Sequence, residues 1–261
     1  MPRIVPFDTN YDQIRKFEKT AFILLIISSI LIFLNWLLSK AFSDNLKNEI
    51  EIFKEVARVI SYVGMVLYLL INLFAKILFH TVEKRKRNDL IDNSFGIKYS
   101  NENTEGYYNN SETQVGVKKL ALNSYESSFH TENTLKYMLY KNLVYLVIFS
   151  VPFLLSIFSK NGSEIVRILF EISIPLTLLS QLVIMLIYYQ NVLEINERFK
   201  IELTNIGEKE MRQDDIAKLL IPVMEYYSIK AWANINLNSK IFMKYNEAIS
   251  EKWTKRKENL K

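Results

Sequence analysis

Four stretches of this chain carry no charged side chain over 16 to 21 residues, and they limit its possible folds more than any other feature. They run from Ala21 to Leu38, Val59 to Ala75, Leu143 to Phe158 and Ile172 to Val192. A mean hydropathy of +0.04 conceals them, because the 23% of residues that are charged fall almost wholly between the runs. A globular core needs no such segregation. A bilayer does, since its hydrocarbon is about 30 Å thick and takes about 20 apolar residues to cross as a helix. The first run holds thirteen Leu, Ile and Phe against Ser28, Ser29 and Asn35, which favours insertion by roughly 4 to 8 kcal/mol before polar corrections. After the second run, Lys76 can carry its ammonium to the headgroups along its own stem. The third run is the shortest and contains Pro152; the fourth is interrupted by Pro175. The expected fold class is an all-α membrane protein with four transmembrane helices, and a soluble enzyme is excluded.

Orientation follows from the basic residues. With the N-terminus inside, residues 1–20, 80–142 and 193–261 are cytoplasmic and hold 26 of the 33 Lys and Arg. Lys84-Arg85-Lys86-Arg87 stands directly after the second span, where the positive-inside bias acts most strongly. Both termini are expected in the cytoplasm. The first run is longer than a signal peptide's roughly 7 to 15 apolar residues, and Ser39-Lys40-Ala41 is no small-x-small cleavage site, so a retained anchor is expected.

The chain then divides into five parts. Residues 1–20 form a cytoplasmic N-terminal segment. Residues 21–79 form the first transmembrane helix pair, with an outer helical extension over 39–58 that opens near the N-cap candidate Asp44. An interfacial amphipathic segment is an equal reading of that extension, since Leu46, Ile50, Phe53, Ala57 and Ile60 recur at helical spacing. Residues 80–142 form a middle segment rich in Asn, Ser and Gly, expected to be ordered but irregular, with helix resuming near Asn133-Thr134. Residues 143–192 hold the second transmembrane pair. Residues 193–261 form a helical tail, with a stop at Asn205-Ile206-Gly207, a helix opened by Asp214-Asp215 and kinked or interrupted at Pro222, and a last helix from about Asn234. Its apolar stripe is Ile235, Phe242, Tyr245, Ile249 and Trp253.

Chemistry-bearing motifs are few. No P-loop, G-x-G-x-x-G, H-E-x-x-H or G-x-S-x-G occurs. The chain has no Cys and two His, His80 and His130, so no catalytic residue, no metal and no cofactor is expected. Asp89 and Asp92 share a helical face and read more readily as caps or ion-pair partners than as paired carboxylates. The run at 84–87 suffices as a topogenic, lipid-binding cluster. It also forms one wall of a candidate anion site, in which Arg85, Arg87, Lys98, Lys118 and Lys119 supply charge. Tyr99, Tyr107 and Tyr108 would stack on bases while Asn109 and Asn110 read base edges. The middle segment carries 8 acidic to 9 basic residues, so it suits a short nucleotide ligand and excludes long duplex nucleic acid. In the fourth span Thr177, Ser180 and Gln181 approximate one face, as a conduit lining or as bonds to neighbouring helices. Arg167 and Glu171 at i and i+4 form an ion pair or part of a selectivity ring. Four helices leave no channel through one subunit, so any pore lies between subunits.

The string Arg87-Asn88-Asp89-x-x-Asp92-Asn93-Ser94-Phe95-Gly96, followed by Glu105-Gly106-Tyr107-Tyr108-Asn109-Asn110, resembles the four-transmembrane pore-forming effectors associated with second-messenger oligonucleotide synthetases in bacterial antiphage defence. The local likeness covers about 25 residues; the arrangement of span pairs around a middle segment covers the chain. The resemblance implies a homo-oligomer, a tetramer among the options, in the bacterial inner membrane. A partner nucleotidyltransferase would make a cyclic or short linear oligonucleotide that opens the pore or holds it shut, and opening would depolarise the cell and arrest growth. Two other readings stand beside it: a membrane scaffold or sensor that binds a protein through the Ile235–Trp253 stripe, and, ranked last, a small-solute transporter.

Overall fold

The computed structural model describes residues 7–41, 47–100, 108, 110, 112–157, 165–207 and 209–260. Among these residues it is all-helical: α1 (Asp8–Ala41), α2 (Lys47–Phe95), α3 (Val117–Ile157), α4 (Ile165–Ile206), α5 (Gln213–Ala233) and α6 (Ser239–Glu258). Among the described residues, three segments are long and apolar enough to cross a membrane, Thr9–Asn35, Ile50–Phe95 and Pro175–Ile206. The expected span 143–158 lies on α3, with the side chains of 149 and 152–157 and all of residue 158 outside the described residues, as is the expected cap Asp44. The helices form two compact units, one comprising residues 12–78 and 141–183, the other 1–11, 79–140 and 184–261.

The first unit is apolar outside as well as inside. Ala21, Leu25, Met65, Tyr68 and Leu178 form its buried cluster, while Ile30, Val59, Leu69, Leu73 and Val147 each expose half or more of their surface. In water such a surface forgoes about 25 cal/mol per Å²; in lipid it loses nothing. These helices therefore suit a membrane-embedded protein. Two polar groups here find carbonyl partners, as lipid favours: Ser29 Oγ donates to the Leu25 carbonyl (2.8 Å) and Asn35 Nδ2 to the Lys54 carbonyl (3.1 Å). At Gly64 the helices come close, because a Cβ there would fall on Ser28 Oγ. Small residues at such crossings let backbones approach where no hydrophobic force draws helices together.

The second unit is organised around α3. From Leu120 to Thr131 every residue is buried except half-buried Ser127. Leu90 of α2, Tyr188 and Phe199 of α4, Leu219 and Tyr226 of α5, and Trp253 of α6 belong to the same buried cluster. The expectation that helix resumes near Asn133-Thr134 is corrected, since α3 begins at Val117. Its Asn and Ser side chains are used inside the helix packing: Asn123 bonds Asn93 and Ser94 of α2, Ser128 bonds Asn196 of α4, and Ser128 and Asn133 also bond carbonyls of the preceding turn of α3. The tail shows two further differences. α5 runs unbroken through Pro222; the lost bond to the carbonyl four residues earlier is tolerated because Leu219, Pro222, Val223 and Tyr226 are packed into the core. Asn234 ends α5 in a left-handed conformation (φ +47°), and Asn238 caps α6 by accepting from the Ile241 N–H at 3.1 Å. The stop at Gly207 (φ +50°) falls where expected, after Ile206.

Gly64→Val is expected to cost about 1–3 kcal/mol by overpacking, seen as a lower thermal midpoint in detergent. Gly64→Ala combined with Ser28→Ala is expected to keep the midpoint near that of the parent, because Ser28 Cβ would lie 3.8 Å from the new methyl.

Candidate functional site in the polar core around α3

α3 presents polar groups on several sides, and each neighbouring element answers one of them. Asn123 Nδ2 donates to Asn93 Oδ1 (3.0 Å) and Ser94 Oγ (3.3 Å) at the end of α2. Asn110 Nδ2 donates to Asn123 Oδ1 (2.9 Å) and Glu126 Oε2 (3.1 Å). Ser128 Oγ donates to Asn196 Oδ1 of α4, whose Nδ2 donates to Glu132 Oε2 at 2.6 Å. The Tyr226 hydroxyl of α5 bonds Ser127 (3.0 Å) and Thr131 (2.9 Å). From α6, Arg256 Nε donates to the Tyr125 hydroxyl and Nη2 to Glu197 Oε1 at 2.7 Å. The guanidinium also lies 5.4 and 5.3 Å from the ring centroids of Tyr125 and Phe129.

Burial sets the protonation of this core. It pushes the Tyr125 hydroxyl up to about 12 against the opposing pull of Arg256. Tyr227 is raised by burial first and by neighbouring Tyr226 second. For Arg256, burial disfavours the charge, but Tyr125 and Glu197 more than offset it and hold the proton above the usual value. At physiological pH the Tyr125 and Tyr227 phenols therefore act as hydrogen-bonding groups and not as acids. His130 is buried with its ring 5.7 Å from Phe242 of α6.

A second cluster joins α1, α2 and α5. Lys230 Nζ lies 2.8 Å from Glu83 Oε2, with both side chains less than 10% exposed, and the Tyr11 hydroxyl donates to Glu83 Oε1 at 2.6 Å. Neither residue stood out in the sequence. Glu83 directly precedes the basic run and reads there as one more surface charge.

The expected ligand-binding residues are dispersed. Arg85 is exposed and Arg87 half-buried on α2, and Lys119 is half-buried on α3. Lys98 and Tyr99 are exposed on the stretch after α2. That stretch is anchored by Asp92, whose carboxylate accepts from the backbone N–H of Tyr99 (2.8 and 2.9 Å) and of Ser100. Tyr108 and Asn110 are buried, so the Asn110 amide faces the core. Lys118 Nζ donates to the Gly207 carbonyl past the end of α4. Tyr107 and Asn109 lie outside the described residues. Of the expected pore-lining residues, Ser180 is exposed, Thr177 is half-buried, and Gln181 hydrogen-bonds Tyr68 of α2. Arg167 and Glu171 lie on α4, with their side chains outside the described residues. An open groove of about 350 Å³ runs between α4 and α5, crossed by the Arg198–Glu225 ion pair at 2.6 Å and flanked by Asn191 and Trp232. It contains none of the expected ligand-binding residues. No group of three or more His, Cys, Asp or Glu that could hold a metal occurs among the described residues.

Lys230→Met is expected to destabilise the protein by about 3–5 kcal/mol, because it leaves the Glu83 carboxylate buried without its cation. The double variant Glu83→Gln/Lys230→Met should lose less than the sum of the single changes. A double-mutant cycle on thermal or denaturant unfolding in detergent measures the difference.

Comparison with protein-family models, with curated proteins and with solved structures finds no match for this chain.

Proposed function

We propose that the chain is a non-enzymatic, oligomeric membrane effector whose pore is gated by a nucleotide signal. In this reading the spans are four, the run 143–158 being the fourth, and both termini lie in the cytoplasm of a bacterial cell whose inner membrane the protein crosses. The observation that carries the proposal is that α1, α2, α3 and α4 each contribute residues to both compact units. An apolar-faced unit suited to lipid and a polar-cored unit suited to water are thus built on the same helices. A ligand that repacks the second unit has a covalent, helical route to the first.

The ligand is anionic, a cyclic or short linear oligonucleotide made by a partner nucleotidyltransferase. Arg85, Lys98 and Tyr99 support this with exposed charge and an exposed ring. Moving a closed-to-open ratio from 99:1 to 1:99 takes about 5.5 kcal/mol of differential binding, or about 1.4 per subunit in a tetramer. The scaffold reading has less support, because Ile249 and Trp253 of its proposed binding stripe are buried in the chain's own core.

In planar bilayers the purified protein is expected to show conductance steps whose frequency changes with a panel of cyclic and linear short oligonucleotides. Lys98→Glu with Arg85→Glu should blunt that response while leaving the unit conductance unchanged. Silence under every condition overturns the pore, and conductance indifferent to every nucleotide overturns the gating.

A further inference from the structure

The C-terminal end of α5 and the turn after it present surface that the core does not use, and three contacts fix its level along the neighbouring helices. Lys230 meets Glu83 of α2, four residues beyond Phe79, where the second apolar stretch ends. Trp232 lines the same groove as Asn191 of α4, which stands one residue before the end of the uncharged run Ile172–Val192. The backbone N–H of Asn238 approaches Met138 Sδ of α3 at 3.3 Å, five residues before Leu143 opens the third run. At 1.5 Å per residue each of these partners lies within about 8 Å of a point where a helix changes from apolar to charged. Trp232 is 55% exposed and Tyr140, on α3, is 74% exposed. Exposed Lys136 and Lys141 flank Tyr140.

A large ring with one polar tip, exposed at such a boundary, matches the physical preference of Trp and Tyr for the headgroup layer, where the ring leaves water and the N–H or O–H keeps its partners. We infer that Trp232 and Tyr140 form an interfacial anchor that docks the α5–α6 turn onto the headgroup layer of the membrane the spans cross. Lys136 and Lys141 serve there as contacts for lipid phosphate. The inference rests on the membrane reading above. It adds to it a lipid contact from a helix that crosses no membrane, and it ties α5, which holds Lys230 against Glu83, to the bilayer surface.

The three tryptophans allow a direct test. Trp253 is 1% exposed and serves as a constant background, and Trp36 lies within the first uncharged run. Full-length Trp36→Phe and Trp232→Phe variants, each compared with the double variant, isolate the emission of Trp232 and Trp36 in turn. Both are reconstituted in vesicles of lipid brominated near the glycerol end of the acyl chain and titrated with aqueous iodide. The anchor is supported if Trp232 loses most of its emission to bromolipid and is shielded from iodide relative to detergent. If Trp36 is quenched by bromolipid while Trp232 is not, the anchor is overturned and the membrane reading stands; shielding from iodide without bromolipid quenching assigns this face to a second copy or another protein. If Trp36 is not quenched either, the membrane reading falls and the anchor with it.

Discussion

A helix buried on every side is ordinarily apolar all round, and the opening half of α3 is not. Asn123, Ser124, Glu126, Ser128, Thr131 and Thr134 are all buried there. Each polar group left without a partner in such a place costs about 1–3 kcal/mol, so a handful would consume the roughly 5–15 kcal/mol by which a typical domain is stable. The elements around α3 are placed by that requirement. The end of α2 brings Asn93 and Ser94, α4 brings Asn196, α5 brings Tyr226 and α6 brings Arg256. Ser, Asn and Ala are small enough for these helices to approach closely, and hydrogen bonds, unlike apolar contacts, are directional. Apolar burial of Tyr125, Phe199 and Trp253 drives the collapse; the polar pairs select which collapse is correct.

What could be read beforehand followed from features whose physics is local. Uncharged runs announce lipid, and a Gly after a long helical pattern announces its end, as at Gly207. The start of α3 was not legible in the same way. A Ser or Asn near the chain's own backbone favours a turn, and only the presence of Asn93, Asn196 or Tyr226 in space makes it a helix residue. Period alone held a hint, since Ala121, Tyr125 and Phe129 recur four residues apart through the polar stretch. Pro222 is a similar case, a local breaker overruled by packing. The Glu83–Lys230 pair joins positions far apart in the sequence, and nothing short of the fold could couple them.

The stretch from Arg87 to Gly96 has structural work of its own here. Asp92 binds the backbone of Tyr99 and Ser100, Asn93 and Ser94 bond Asn123, and Gly96 turns the chain after α2 with φ +67°. The Ser94 carbonyl also accepts the Gly116 N–H at 2.8 Å, just before α3 begins. These contacts account for Asp92, Asn93, Ser94 and Gly96 as residues that end α2 and key it to α3. They do not account for Arg85, Lys98 and Tyr99, which keep their exposed charge or ring. Asp92, Asn93, Ser94 and Gly96 thus hold the polar core together, and the exposed charge and ring sit on residues just outside the two strings.

The two units solve opposite problems with the same helices. In lipid, helices gain little by hiding apolar surface from one another, so association depends on close approach, as at Gly64 and Ser28, and on internal polar bonds such as Gln181 to Tyr68. In the second unit apolar burial is abundant and discrimination is scarce, so the polar pairs of α3 supply it. Because α1 to α4 serve both units, each of these helices carries two patterns in one register. A slip of one residue would turn a helix face by about 100° and break both patterns together. Opening of the proposed pore would therefore move these helices as tilting bodies with their register kept, and a ligand would act by favouring one packing of the polar core over another.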